Sequence, residues 1–319
     1  MSFALGNPEI PPVGSGGTGP LFQGKRCMVT GASSGIGMGI AHALLLRGAE
    51  VWICSRDPER MTATGEKFIA EFGSDAVHYA IVDVRDEDAL RAFADQMAAG
   101  GNIDYLFANA GVGFYGPFES APESEYRRVL DVNFYGILHA DHAVIGHMLR
   151  QGSGFIANTA SLEAYIPNGY HSGYVASKYA TYGFTESLRY EYEDRNIKFA
   201  TICPGPVVSN IWCKDAKGVL HNVGHTLPEG TITELAAGQE ILAAVEEGRY
   251  LILVTDVARN TWHYVRDEQE IADAWCRGFT RSNLEIHERV MRERGRTEAQ
   301  TPKEGTWLDA VSSSDGPRG

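Results

Sequence analysis

Long apolar runs are missing from this chain, and no stretch approaches the length of a membrane-spanning helix. Positive charge is also short. Lys and Arg total 28 against 41 Asp and Glu, a formal net charge of −13, with no long basic run. That balance leaves nucleic acid and acidic membrane surfaces out as partners. Cysteine is scarce: five residues, an odd number without short paired spacing, so neither a disulfide framework nor a zinc site is expected. Cys27, Cys54 and Cys203 fall in apolar strand patterns and read as small buried hydrophobes, consistent with a reducing, cytoplasmic compartment. Met1–Gln23 has neither the basic nor the apolar region of a secretory signal; its Gly and Pro content predicts an extended arm. No internal repeat is visible. His139, His142 and His147 lack the glutamate of an H-E-x-x-H pattern, so helix packing or solvent exposure is expected of them rather than metal ligation.

What the chain does contain is alternation. With 319 residues it can bury a large core, and one α/β domain with extensions fits better than two domains. Strand patterns fall at Arg26–Thr30, Glu50–Cys54, Ala76–Val82, Asp104–Ala108, Gly154–Asn158, Lys198–Cys203 and Tyr250–Val254. Helical patterns fall at Ile36–Leu46, Pro58–Phe72, Glu87–Ala99, Glu123–Arg150, Tyr174–Arg195 and Glu234–Glu246. Such alternation predicts a doubly wound, Rossmann-like parallel sheet of about seven strands with helices on both faces. The catalytic body is expected over residues 24–255, a helical extension over 256–295 and a disordered tail over 296–319. Within the extension, Asp267–Arg294 is periodic, with Ile271, Trp275, Phe279, Leu284, Ile286, Val290 and Met291 as buried positions.

Two constellations carry chemistry. Ser161, Tyr174 and Lys178 have the order and spacing of a hydride-transfer site. Reducing a ketone takes a hydride from a nicotinamide and a proton for the developing alkoxide; the reverse oxidation needs a base. A tyrosine serves both if its pKa falls from about 10 toward working pH. Lys178, one helical turn from Tyr174, is placed to drive that fall, and Ser161 to hold the substrate oxygen. A tyrosine and lysine at this spacing are more often an ordinary helix surface; Tyr165, Tyr170, Tyr179 and Tyr182 stand nearby. The second constellation tips the balance. Thr30-Gly31-Ala32-Ser33-Ser34-Gly35-Ile36-Gly37 joins a strand to a helix, and its glycines let backbone approach a pyrophosphate at the helix N-terminus.

These residues resemble the short-chain dehydrogenase/reductase superfamily, in its compact single-domain branch, from about Gly24 to Val254. The T-G-x-x-x-G-x-G cofactor motif is matched by Gly31, Gly35 and Gly37, with Ser33, Ser34 and Ile36 between them. The resemblance assigns adenine contact to Asp83 with Val84, and the N-A-G motif to Asn109, Ala110 and Gly111. Asn133 matches the helical asparagine of a proton relay, Ser161 the catalytic serine, and Tyr174 and Lys178 the Y-x-x-x-K pair. Lys178 would also hold the nicotinamide ribose. Pro204 and Gly205 match the nicotinamide-side motif, followed by Val207 and by Ser209 where many members have threonine. The family also implies homodimers or homotetramers through its long helices, and a substrate lid, here Pro206–Thr233 with Trp212, His221 and His225.

Cofactor choice rests on the end of the second strand. Relatives preferring NAD usually place Asp at the position of Ser55, and those preferring NADP often place Arg at that of Arg56. The pair here favours NADP(H), with NAD(H) possible and pairing of Arg56 with Asp57 or Glu59 as the alternative use. Gly113–Phe118 and Ala164–Pro167 are expected to border the cleft, which suits an apolar or aromatic small molecule unless these aromatics serve loop packing or a subunit contact. His171 is a further candidate for substrate contact. The resulting expectation is an NADP(H)-dependent enzyme interconverting a secondary alcohol and a ketone. NAD-dependent oxidation of an aryl or steroid-like alcohol, and a non-catalytic cofactor sensor, are the alternatives.

Overall fold

The computed structural model describes residues 21–209, 211 and 228–268, together with 270–272, 274, 276–278, 280, 281, 285 and 288. Seven strands form one sheet in the order β3-β2-β1-β4-β5-β6-β7, every pairing parallel. They are β1 Arg26–Thr30, β2 Glu50–Ser55, β3 Val77–Ile81, β4 Tyr105–Ala108, β5 Gly154–Thr159, β6 Ile197–Pro204 and β7 Leu251–Val254. The helices are α1 Gly35–Leu45, α2 Pro58–Phe72, α3 Glu87–Ala99, α4 Glu123–Leu130, α5 Gly136–Gln151, α6 Ser172–Glu191, α7 Glu234–Glu246 and α8 Asp256–Asp267. Parallel strands need crossovers, and helices packed on both faces bury the Val, Ile and Leu of the sheet on either side. One core lies between the sheet and α1, α2 and α7, around Val29, Ile40, Leu44, Ile53, Phe68 and Ile241. The other lies under α3, α5 and α6, around Met28, Leu90, Met97, Leu106, Val144 and Ile156. Cys27, Cys54 and Cys203 are buried in the sheet.

Strand order reverses between β1 and β4, so a crevice opens beyond their carboxyl ends. The loops that follow β1, β4, β5 and β6 all meet there. The helix expected over Glu123–Arg150 is split: a π turn, Asp131–Tyr135, joins α4 to α5. One extra residue shifts the phase of the later positions by about 100°, but the apolar residues on both sides read as a single helix and the shift is not separated from it.

Two expectations change at the ends of the chain. Phe22, placed by the sequence in the N-terminal arm, is fully buried and packs on Tyr105 with ring centroids 5.0 Å apart. Ile271, expected to be buried, is exposed; its neighbour Ala272 turns inward instead. Trp275, Phe279, Leu284, Ile286, Val290 and Met291 lie outside the described residues, as do 1–20, 212–227 and 291–319, which include Trp212, His221 and His225 of the expected lid.

Candidate active site

Helix α6 brings the catalytic candidates inward. Tyr174, Ser177, Lys178, Thr181 and Thr185 recur at helical spacing and form its buried face. Ser161 follows β5 and caps a short 3-10 turn, Leu162–Ala164, its Oγ accepting from the Glu163 backbone N–H at 3.1 Å. The Ser161 side chain lies close enough to the Tyr174 phenol to favour its ionised form. Lys178 Nζ donates to the Thr159 carbonyl at 2.8 Å and stands 5.5 Å from the Tyr174 ring centroid.

Asn133 lies in the π turn and is fully buried. Its amide pairs with both backbone groups of Val112 and donates to Ser177 Oγ at 2.9 Å. Its own carbonyl accepts from Thr181 Oγ1 at 3.0 Å. Asn133 thereby ties the loop after β4 to α6, and Gly111 sits beside both its amide and Lys178 Nζ.

The ionisation of this group departs from expectation. Burial pushes the Tyr174 phenol above its ordinary value; the Glu163 carboxylate adds to the rise, and the nearby Ser161 hydroxyl opposes it. Lys178, itself buried, is drawn down from 10.5 to about 8. Desolvation outweighs the attraction expected between ammonium and phenolate, because both groups are almost entirely out of water. The resting site holds a protonated phenol.

The glycine loop is shaped to receive an anion. Gly31 has φ +69°, and a side chain there would begin 2.7 Å from Ala110 Cα; one on Gly37 would begin 2.5 Å from Gly31 O and Asn109 Nδ2. Helices α2, α3, α7 and α8 have their first N–H groups capped by Asp57, Asp86, Thr233 and Thr255. Helix α1, like α4, α5 and α6, has no side-chain cap; Ser34 precedes it and its first turn has no acidic residue. Its dipole and N–H groups therefore face the crevice undiminished. Ser209 reaches over the loop to Gly35, and Ile36 packs into the first core. Asn109 and Ala110 are pinned by their N–H groups to Thr30 Oγ1, at 3.0 and 3.2 Å. Pro204 ends β6, Gly205 N–H bonds the Val254 carbonyl at 3.0 Å, and buried Val207 bridges Ile232. The tight glycine turn and the free N–H groups of α1 fit the pyrophosphate of a dinucleotide.

At the adenosine end, Ser33 Oγ bonds Ser55 Oγ at 2.8 Å. Arg56 is exposed beside them, and Asp57 is engaged instead with Arg60, whose N–H it caps. Asp83 is gripped by Arg85, which donates to both carboxylate oxygens at 2.6 to 3.1 Å and holds the acid below its ordinary range. Arg56 contributes in the same direction. Buried Val84 gives its carbonyl to His139 Nδ1 at 2.9 Å. His142 faces Glu87, and His147 pairs with Asp95.

Sequence reasoning missed Glu163 and Arg85. The signal for Glu163 was present, a lone carboxylate inside the apolar run Leu162–Ile166 just after Ser161. Tyr165 moves out of the cleft: its hydroxyl donates to the Ala258 carbonyl at 2.8 Å and its ring meets Trp262 edge-on, fastening α8 to the body.

The profile described as short chain dehydrogenase matches residues 25–218. The uncharacterised oxidoreductase YusZ of Bacillus subtilis is 35% identical over 188 residues, 59% of this chain and 67% of that protein. The probable oxidoreductase EphD of Mycobacterium tuberculosis is 38% identical over 192 residues, 60% of this chain but only 32% of EphD. A short chain dehydrogenase/reductase from Burkholderia phymatum, solved in complex with NAD, superposes with a TM-score of 0.69 at 24% identity, covering 80% of this chain and 96% of that one. That last likeness carries the fold.

Proposed function

The chain belongs to the short-chain dehydrogenases, NAD(P)-dependent oxidoreductases, and from that premise we propose that it reduces a ketone to a secondary alcohol with NADPH, and reverses the reaction when cofactor ratios demand. The observation that carries this reading is the junction of Tyr174, Ser161 and Lys178 at the crevice onto which the uncapped α1 opens. A reduced nicotinamide supplies the hydride when bound. Gly31, Gly35 and Gly37 admit its pyrophosphate, Lys178 holds its ribose, and Pro204, Gly205, Val207 and Ser209 flank its nicotinamide. Ser161 holds the substrate carbonyl oxygen, and Tyr174 delivers the proton to that oxygen as it becomes an alkoxide. The resting phenol carries the proton that this step delivers. Asn133, bonded to Val112 and Ser177, keeps the loop after β4 and the face of α6 in register, and uptake of a proton by Tyr174 completes the cycle.

NADPH is favoured over NADH because Ser55 presents no carboxylate, and the exposed guanidinium of Arg56 stands beside the Ser33–Ser55 pair as a fork for a 2′-phosphate. Phe114 and Tyr115, in the loop after β4, support an apolar or aromatic substrate. Association through α5 and α6 is proposed on family grounds. The decisive experiment titrates the purified protein with NADPH and NADH by fluorescence and assays ketone reduction by the parent and by Tyr174→Phe. Tighter NADPH binding, with Tyr174→Phe binding the cofactor but losing about a thousandfold or more in turnover, is expected. Tighter NADH binding would overturn the cofactor choice. Full turnover by Tyr174→Phe would overturn the assignment of the proton donor.

A further inference from the structure

His171 lies three residues before Tyr174 and is 2% exposed. Its imidazole is sandwiched between two phenols, stacked on Tyr115 with centroids 3.9 Å apart and on Tyr174 at 4.3 Å, the planes within 13° and 7°. Nδ1 stands 2.8 Å from Glu163 Oε2, and Glu163 is itself 6% exposed. The other nitrogen, Nε2, is fully buried and has no hydrogen-bond partner among the described residues. A side chain built on Gly113 would begin 3.7 Å from it and 3.4 Å from the Ile211 carbonyl oxygen, so the loops after β4 and β6 lie beside it.

A buried polar atom without a partner carries a free-energy cost that folded proteins rarely leave standing. Nothing in the proton-transfer group uses this nitrogen. Glu163 also fixes what Nε2 can do. A carboxylate accepts only, so Nδ1 carries a hydrogen toward it, and in the neutral imidazole the Nε2 lone pair is left to accept. A ligand group that satisfies it must bring its own hydrogen.

We propose that Glu163 and His171 form a second anchoring point beside the reacting carbonyl, selecting substrates that carry a hydroxyl on the carbon next to the one reduced: α-hydroxy ketones, and vicinal diols in the reverse direction. This rests on the ketone-reductase reading above and adds the substrate class to it. The reacting oxygen lies between Ser161 and Tyr174, while the neighbouring hydroxyl donates to His171 Nε2. Because the His171 ring is stacked on the proton donor itself, only a group close to the reacting carbon can reach both. The flanking Tyr115 and Phe114 accept an aryl or alkyl remainder. Glu163 and His171 are positioning and binding groups here; the hydride and the proton travel as before.

The test uses the full-length chain and a panel of matched ketones with and without the adjacent hydroxyl, beginning with 2-hydroxyacetophenone and acetophenone, each with NADPH and NADH. The parent is expected to favour the hydroxy ketone in kcat/KM by about tenfold or more, chiefly through KM, since a site built to bond a hydroxyl leaves its own group unpaired when the hydroxyl is missing. His171→Phe keeps the ring stack and removes the nitrogen, and should bring the ratio close to one. The double variant Glu163→Gln/His171→Phe, which leaves no unpaired buried carboxylate, should show the same ratio. His171→Gln, with an amide acceptor at similar reach, should restore part of it. A ratio is insensitive to general loss of activity, so a merely structural role for His171 would leave it unmoved. Equal use of both members by the parent, or an unchanged ratio in His171→Phe, would overturn the anchoring point while leaving the reductase reading in place. Turnover of no panel member with either cofactor would overturn the reductase reading, and the anchoring point with it.

Discussion

Replacing Lys178 by methionine removes a cation that the folded protein holds at a cost. Burial draws its pKa from 10.5 down to about 8. A fall of roughly 2.5 pH units corresponds to about 3 kcal/mol of stability forgone at neutral pH. The sign follows from proton counting. Between pH 8 and 10.5 the unfolded chain keeps the lysine protonated and the folded one does not, so parent stability rises with pH across that window. Below pH 8 both states bind the proton and the penalty is complete. Against this stands the bond from Nζ to the Thr159 carbonyl, at 2.8 Å, whose loss costs about 1 kcal/mol. Lys178→Met should therefore be about 2 kcal/mol more stable than the parent at pH 7, roughly 5 °C in Tm. The advantage should shrink as pH rises and reverse near pH 10.5. Urea unfolding followed by tryptophan fluorescence, at pH 7, 9 and 10.5 and without cofactor, reads the difference; bound cofactor would stabilise the parent by mass action and mask it. A variant less stable than the parent at pH 7, or a gap that does not change with pH, would refute the reasoning. The same variant should lose turnover, because the charge that destabilises the fold is the one assigned to the ribose and to Tyr174.

Arg56→Asp should lower NADPH affinity by tenfold to a hundredfold and improve NADH binding relative to it; an unchanged preference in the fluorescence titration would remove Arg56 from phosphate recognition. Gly37→Ala pushes a methyl against Gly31 O and Asn109 Nδ2, so it should cost about 1–3 kcal/mol and at least tenfold in cofactor affinity; parent-like binding would show the turn to be more pliant than its contacts. Asp141, buried between α5 and the sheet, is raised from 3.8 to about 8 by desolvation, and Asn158 donates to it at 2.9 Å. The neutral form is the one the fold prefers, so parent stability declines as pH rises from about 4 to 8. Asp141→Asn should match the parent near pH 4 and exceed it by about 2 kcal/mol or more at pH 8, since its amide can also donate to the unpartnered Asn158 Oδ1. Thermal melts showing a constant difference across that range would contradict this.

Much of the architecture could be read from local pattern. Strand and helix periods are properties of neighbouring residues, so Arg26–Thr30, Pro58–Phe72 and Glu87–Ala99 came out at the same bounds in both readings. The glycine turn was legible because its residues are consecutive and backbone geometry dictates their type. Tyr174 and Lys178 were legible because one helical turn puts them on the same face. The π turn at Asn133 escaped, since α4 and α5 run on without a break in composition and the phase shift between them falls within one turn.

The site's electrostatics lay beyond local reading. From spacing alone Lys178 should have drawn the Tyr174 phenol down, yet the folded protein pushes it up. Spacing reports which groups are near one another, while desolvation depends on how completely the rest of the fold excludes water. Glu163 and His171 likewise belong to an irregular stretch, where no period says that residues eight apart will meet. The sequence by itself determined the fold class, the family, and the identities of the groups gathered at the end of the sheet. Tertiary packing decided which of them are dry, which are paired, and that one imidazole nitrogen is left buried without a partner among the described residues, because burial and long-range contact exist only once the chain has closed upon itself.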